Sequence, residues 1–293
     1  MRILILGGTR FIGRAFVELA LENGHECTLF NRGKSNPFLF PAQSKVFGDR
    51  GRDLCLLENQ RFDAVVDFCG YDPEEVRLSA RELGSSIGTY VYISTISVYD
   101  DFSSCKLDES SPMQKYPKDP ILRSYGNRKA ECERVLEQEM PGTKLLIIRP
   151  TIVVGEFDPT NRFEKWLRYL HDEMEFSIPS EPDQPIQWID VHDLNRFTLA
   201  AMVQGLEGVY NLCGPLVPMT LGEFAGCLTD ILMRRPFFYF DRDSQNEFPF
   251  CTSPNYGGIF RVDASLARSQ GLNMTTLEQT TRRIVHWMDL ENQ

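Results

Sequence analysis

Arg2-Ile-Leu-Ile-Leu-Gly-Gly-Thr-Arg-Phe-Ile-Gly13 is a short apolar run that breaks into a glycine turn, and Ala15 to Asn23 then follow a helical pattern that stops at Asn23-Gly24. Strand, glycine turn and helix in this order point free backbone N–H groups and the positive end of a helix dipole at a phosphate. Gly7 permits the tight turn and Gly13 the close packing of helix on strand. The position between them that usually carries a further glycine is Arg10. Its side chain must point outward, where a guanidinium pairs well with phosphate. Thr9, Phe11 and Ile12 complete the stretch expected to face the ligand.

Working outward, the next apolar strand, Glu26 to Phe30, ends in Asn31-Arg32-Gly33-Lys34. In dinucleotide-binding folds an acidic residue at this strand end holds a ribose 2′-hydroxyl; neutral and basic residues make room for a 2′-phosphate. Asn31, Arg32 and Lys34 therefore favour NADP over NAD. A third strand, Lys45 to Gly48, places Asp49 where a carboxylate can accept from an adenine amino group, or simply shape a turn. Strand and helix keep alternating: Asp63 to Phe68, a helix from Pro73 to about Leu83, Thr89 to Ile93, and Lys144 to Arg149 closed by Pro150, which is also placed beside the cofactor. Such alternation predicts an α/β protein, a Rossmann-type doubly wound parallel sheet.

Ligands of open α/β sheets bind beyond the carboxyl ends of the strands, so the hydroxyls of Ser94, Thr95 and Ser97 fall on the functional edge. The polar, proline-dotted stretch Asp100 to Asp119 is long enough to form a wall of the site. After it comes Ser124-Tyr-Gly-Asn-Arg-Lys129 and the helical run Ala130 to Met140. Residues four apart share a helix face, so Tyr125 and Lys129 are expected to project side by side. A phenol ionises near pH 10, and an adjacent cation would favour the phenolate, bringing the group into range as a proton donor or acceptor.

Composition narrows the classes. A chain of 293 residues can bury a sizeable core as one large domain or a domain with a smaller lobe. No apolar run approaches a membrane span, and the opening Met-Arg-Ile-Leu-Ile-Leu-Gly-Gly breaks too early for a signal peptide, so a cytoplasmic protein is expected. Eight cysteines without Cys-x-x-Cys spacing predict reduced thiols, mostly buried, and no metal centre. A formal charge of −10 opposes non-specific binding to nucleic acid or anionic lipid, which depends on Lys and Arg displacing counterions.

The ordered blocks Gly7 to Gly13, Tyr92-Ile-Ser-Thr-Ile-Ser-Val-Tyr99, Tyr125-Gly-x-x-Lys129, Arg149-Pro-Thr-Ile-Val-Val-Gly155, Trp188-Ile-Asp-Val-His-Asp193 and Gly208-Val-Tyr-Asn211 resemble the extended and atypical short-chain dehydrogenase/reductases, the superfamily of NAD(P)-dependent sugar epimerases and dehydratases. The resemblance implies a catalytic Thr95, with Ser94 and Ser97 as weaker substitutes. It also implies that Tyr125 exchanges the substrate proton while Lys129 holds the nicotinamide ribose and lowers the phenol. Dehydratases of the superfamily carry Asp-Glu after the catalytic Thr; Ile96-Ser97 stand here and disfavour that reaction. Some atypical members are redox sensors or RNA-binding proteins; these commonly lose the Tyr/Lys pair, which this chain keeps. Homodimers are common in the superfamily, and a small-molecule substrate is the expected partner.

Residues 1–155 read as the cofactor core and 156–293 as a small C-terminal substrate lobe, with about 187–212 returning to the core. In the lobe, Asp158 and Arg162 are candidate substrate contacts, and the aromatic residues from Phe237 to Phe250 are expected to line core and pocket. Nucleotide-sugar enzymes of this superfamily anchor a diphosphate with two arginines, whose positions fall here at Ile186 and near Ser253. Neither is basic, which weighs against a nucleotide-diphosphate sugar.

Overall fold

The computed structural model describes residues 1–103, 106–245, 248–251 and 259–291. Its centre is a seven-stranded sheet of order β10-β6-β5-β4-β1-β2-β3. These strands are β1 (Arg2–Leu6), β2 (Glu26–Asn31), β3 (Ser44–Phe47), β4 (Phe62–Asp67), β5 (Ile87–Ile93), β6 (Lys144–Pro150) and β10 (Gly208–Leu212), and every pairing is parallel. Strand order reverses between β1 and β4, whose ends align with Leu6 opposite Asp67. That switch point opens a crevice beyond the carboxyl edge.

Two layers of helix cover the sheet because successive strand residues point to opposite faces. Ile3 and Ile5 pack in one core cluster with residues of α1 (Phe11–Glu22) and α5 (Val191–Gln204). Leu4 and Leu6 pack in the other with residues of α2 (Pro73–Leu83) and α3 (Tyr125–Glu139). Glu139 at the end of α3 ties the second layer together by pairing with Arg77 and, at 2.8 Å, with Arg81 of α2.

The lobe has its own aromatic core, in which Phe163 and Trp166 of α4 (Arg162–Asp172) meet Phe224 of α6 (Leu221–Leu232) edge-on. A three-stranded sheet, β11 (Gly214–Thr220), β9 (Pro185–Asp190) and β7 (Ile152–Val154), and a parallel pair, β8 (Glu175–Ile178) with β12 (Phe237–Phe240), complete it. β9 pairs with β7 and β11, while its Ile189 packs in the same core cluster as Ile3 and Ile5 of the central sheet. Ahead of the last helix, α8 (Leu277–Glu291), comes the short α7 (Ser265–Ser269). Arg283 of α8 clasps Glu156 at 2.6 Å and the buried Asp190 at 2.5 Å. No helix among the described residues is long and apolar enough to cross a membrane.

Three expectations need correction. Phe248 and Phe250 are buried, but Phe237 and Tyr239 face outward on the lobe at 63% and 44% exposure, because β12 alternates and leaves one face unpaired. The stretch 100–119 does not wall the crevice; among its described residues none lines it. Backbone bridges from Leu107 to Val262 and from Met113 to Tyr99 hold it against the body of the protein. Of the seven described cysteines only Cys27, Cys132 and Cys213 are buried, while Cys55 is exposed on a short turn and Cys69, Cys227 and Cys251 are half-buried. Cys105 lies outside the described residues.

Candidate active site

The crevice at the switch point has a volume of about 800 Å³. Gly7, Thr9, Arg10, Phe11, Ile12, Gly13, Asn31, Arg32, Lys34, Asp49, Thr95, Tyr125, Lys129 and Pro150 all line it. Thus the sequence elements read separately for cofactor and for catalysis converge on one cavity.

Its floor is the glycine turn. Gly7 and Gly8 adopt φ of +100° and +87°, and a Cβ on Gly13 would sit 3.0 Å from the Gly8 backbone, so the first turn of α1 approaches the strand end as closely as only glycine permits. Arg10 is the N-cap residue of α1 but makes no side-chain cap, leaving its exposed guanidinium over the crevice. Beyond β2, Asn31 accepts from the Gly33 N–H at 2.9 Å and shapes the loop that presents Arg32 and Lys34. Neither cation has an ion-pair partner among the described residues, and no acidic residue ends β2. Asp49 also shapes its own turn: Oδ1 accepts from Gly51 N at 3.0 Å, and Oδ2 lies 3.7 Å from Arg52. These N–H groups and cations lie together along one side of the crevice and fit a dinucleotide.

The opposite wall is built by α3 and the turn after β5. Ser124 caps α3, accepting from Asn127 N at 3.4 Å, and so places Tyr125 at the first helical position. Thr95 accepts from Ser97 N at 3.1 Å, and its hydroxyl faces the Tyr125 phenol. Ser94 also lines the crevice, but its hydroxyl is committed to Glu133, which pairs in turn with Arg149 at 2.6 Å.

Lys129 departs from expectation. Its ammonium is fully buried and donates to the carbonyls of Gly70 at 3.1 Å and Ile93 at 2.5 Å, over the Tyr92 ring at 4.1 Å. Burial lowers it to about 8, while nearby Cys132, Asp67 and Glu133 pull the other way. Nor is the phenol depressed: desolvation, then the neighbouring Tyr71, push Tyr125 up to about 12, although half the residue is open to solvent. Thr95 and Arg162 pull in the other direction. At neutral pH this is a protonated phenol, in the state that donates a proton.

Sequence reasoning missed the ion pair under this wall. Asp67, wholly buried at the end of β4, receives both terminal nitrogens of Arg50 at 2.9 and 2.8 Å and the Tyr90 hydroxyl at 2.8 Å. Burial would raise its carboxyl, but Arg50 overrides that and holds it low. An acid closing a buried strand demands a cation, and Arg50 beside Asp49 was the signal available. Cys69, Tyr71 and Glu75 also line the crevice unforeseen; burial pushes the Cys69 thiol up to about 11.

On the lobe side the crevice is lined by Ile152, Val153, Asp158, Pro159, Thr160, Arg162 and Ile259. Ile186, at one of the positions where nucleotide-sugar enzymes place an arginine, is buried in the lobe core; Ser253 lies outside the described residues.

Comparison with known proteins identifies the family and the fold. Residues 3–213 match the NAD dependent epimerase/dehydratase family. The chloroplast stem-loop binding protein of 41 kDa b of Arabidopsis thaliana is 32% identical over 182 residues, covering 56% of this chain and only 45% of the plant protein's length. The epimerase family protein SDR39U1 of Bos taurus is 23% identical over 266 residues, covering 81% and 82%. Among solved structures, the Bordetella bronchiseptica enzyme WbmG in complex with NAD superposes with a TM-score of 0.76 at 18% identity, covering 99% of this chain and 94% of that one, a likeness of fold.

Proposed function

Because the chain belongs to the NAD dependent epimerase/dehydratase family, we propose that it is an NADP-preferring oxidoreductase or epimerase acting at a hydroxyl or carbonyl carbon of a sugar-like or secondary-metabolite substrate. The observation that carries this reading is the meeting of the glycine turn with Thr95 and Tyr125 in one crevice. Gly7 to Gly13 and Arg10 would hold the pyrophosphate, Arg32 and Lys34 the 2′-phosphate, Asp49 the adenine, and Pro150 the wall beside the nicotinamide. Bound there, NADP supplies the hydride exchange.

The protein's own residues manage the proton. Tyr125, protonated at neutral pH, donates to a carbonyl oxygen that the Thr95 hydroxyl orients. Lys129 has two N–H bonds committed to backbone carbonyls and one left for a ribose hydroxyl. Its first task is to tie the loop that carries Gly70 to the end of β5 at Ile93. Ile96-Ser97 after Thr95 give no acid–base pair for eliminating water.

Turnover by wild-type and Tyr125→Phe protein, measured as NADPH oxidation over a panel of carbonyl compounds, tests this. The variant should bind NADPH as before and lose roughly 10²–10⁴ in rate. Undiminished turnover would remove Tyr125 from the chemistry.

The likeness to a stem-loop binding protein supports a second reading, a non-catalytic cofactor sensor or RNA-binding member. The net charge of −10 and the retained Tyr125 and Lys129 count against it.

A further inference from the structure

We infer that the substrate carries a carboxylate near its reacting carbon and that Arg162 binds it; this rests on the reading above and names the substrate class for the same crevice. The observation is a side chain held ready with nothing to hold. Asp158, buried at 6% exposure, accepts from Thr160 N at 3.0 Å and from the Thr160 hydroxyl at 2.7 and 2.8 Å. That hydroxyl in turn accepts from Nε of Arg162 at 2.7 Å. The acid, the hydroxyl and the guanidinium thus form a chain that fixes the arginine by its inner nitrogen. The terminal nitrogens Nη1 and Nη2 have no hydrogen-bond or ion-pair partner among the described residues.

Buried Arg50 and Arg149 are committed to Asp67 and Glu133, and half-buried Arg283 to Glu156 and Asp190. Arg162 differs in lining the crevice, and its charge reaches the Tyr125 phenol and lowers it. Arg162 and Tyr125 line the same crevice, so an anion on Arg162 shares it with the oxygen that Tyr125 protonates. Two parallel N–H donors match the two oxygens of a carboxylate. Among the described lobe residues lining the crevice Arg162 is the single cation, and Asp158 offsets its charge, so the wall offers one bidentate fork and no surplus of positive charge. A diphosphate would bring more charge than this wall can neutralise. The substrates this geometry selects are hydroxy and oxo acids, sugar acids included.

The first test needs no turnover. Phenylglyoxal labels accessible guanidinium groups, and mass spectrometry reads the rate at each arginine of the NADP-loaded protein. Glycolate, a minimal hydroxy acid, should slow labelling of Arg162 roughly fivefold near four times its dissociation constant, while glycolamide should not, and exposed Arg52 should be unaffected by either. Equal labelling of Arg162 with and without glycolate, or no labelling at all, would overturn the assignment. The second test compares acids with their amides as substrates. Arg162→Gln, checked for an intact fold by circular dichroism, should raise KM for acids roughly 10–100-fold and leave KM for amides unchanged, with partial rescue in Arg162→Lys. Equal effects on both series would refute it. Protection of Arg162 without turnover of any compound would uphold the anion site and sink the catalytic reading; turnover of neutral compounds without protection would do the reverse.

Discussion

Lys129 shows how a side chain can be legible in type and misjudged in effect. Its spacing from Tyr125 put both on the same helix, but the distance from one turn to the next does not say which way a long side chain goes. The carbonyls of Gly70 and Ile93 take the ammonium inward, since a buried charge needs hydrogen bonds more than it needs a neighbouring phenol. Such burial has a pH signature. The folded value of about 8 lies below the ordinary 10.5, so between them the unfolded chain binds more protons than the folded one. The contribution of Lys129 is fully favourable above 10.5 and is lost as pH falls through about 8. In urea titrations, the stability of wild type relative to Lys129→Met should therefore rise by about 3 kcal/mol from pH 8 to pH 10.5. A difference that stays constant with pH would show the amine is not desolvated as described. The Arg50–Asp67 pair was missed at this scale for a related reason: partners seventeen positions apart are joined only once β4 lies beside the turn after β3.

At the scale of elements, α3 is placed by a residue that reads as filler. Gly126 follows Tyr125, and a Cβ there would collide with the Ser97 carbonyl oxygen and lie 2.8 Å from Gln114 Nε2. Glycine lets the helix rest directly on the turn that carries Thr95, which is what brings phenol and hydroxyl together. Gly126→Ala should push α3 away from that turn, costing about 1–3 kcal/mol through overpacking and most of the turnover. Thermal melts beside kinetics check this, and a variant with wild-type kcat would mean the contact is not needed. The core elements were legible because strand and helix periods differ and the glycine turn punctuates them: β1, β2, β4, β5 and β6 lie within two residues of their sequence reading. The 100–119 stretch was not, since loop length says nothing about which surface a loop covers. Gln114, which donates to the Ser97 carbonyl at 2.9 Å, makes it a buttress of the Thr95 turn instead of a wall.

Across the whole molecule, a cofactor core and a lobe are threaded together by a chain that leaves the central sheet after β6, builds half the lobe, returns for α5 and β10, and leaves again. The family blocks reached as far as this return, so the core was readable; the short strands of the lobe were not, because they carry no ordered motif. What the two parts enclose is a crevice lined by the glycine turn, a protonated phenol and, on the lobe wall, an arginine whose terminal nitrogens have no partner among the described residues. The central claim, that this crevice is built for NADP-dependent chemistry, is tested most directly by titrating the emptied protein with NADPH and NADH while identifying by mass spectrometry any nucleotide released on denaturation. Arg32 and Lys34, with no acid at the end of β2, predict little retained nucleotide and NADPH binding at least about tenfold tighter than NADH, the equivalent of one extra charge-assisted contact. Stoichiometric NAD released from the purified protein, or no binding of either nucleotide, would contradict it.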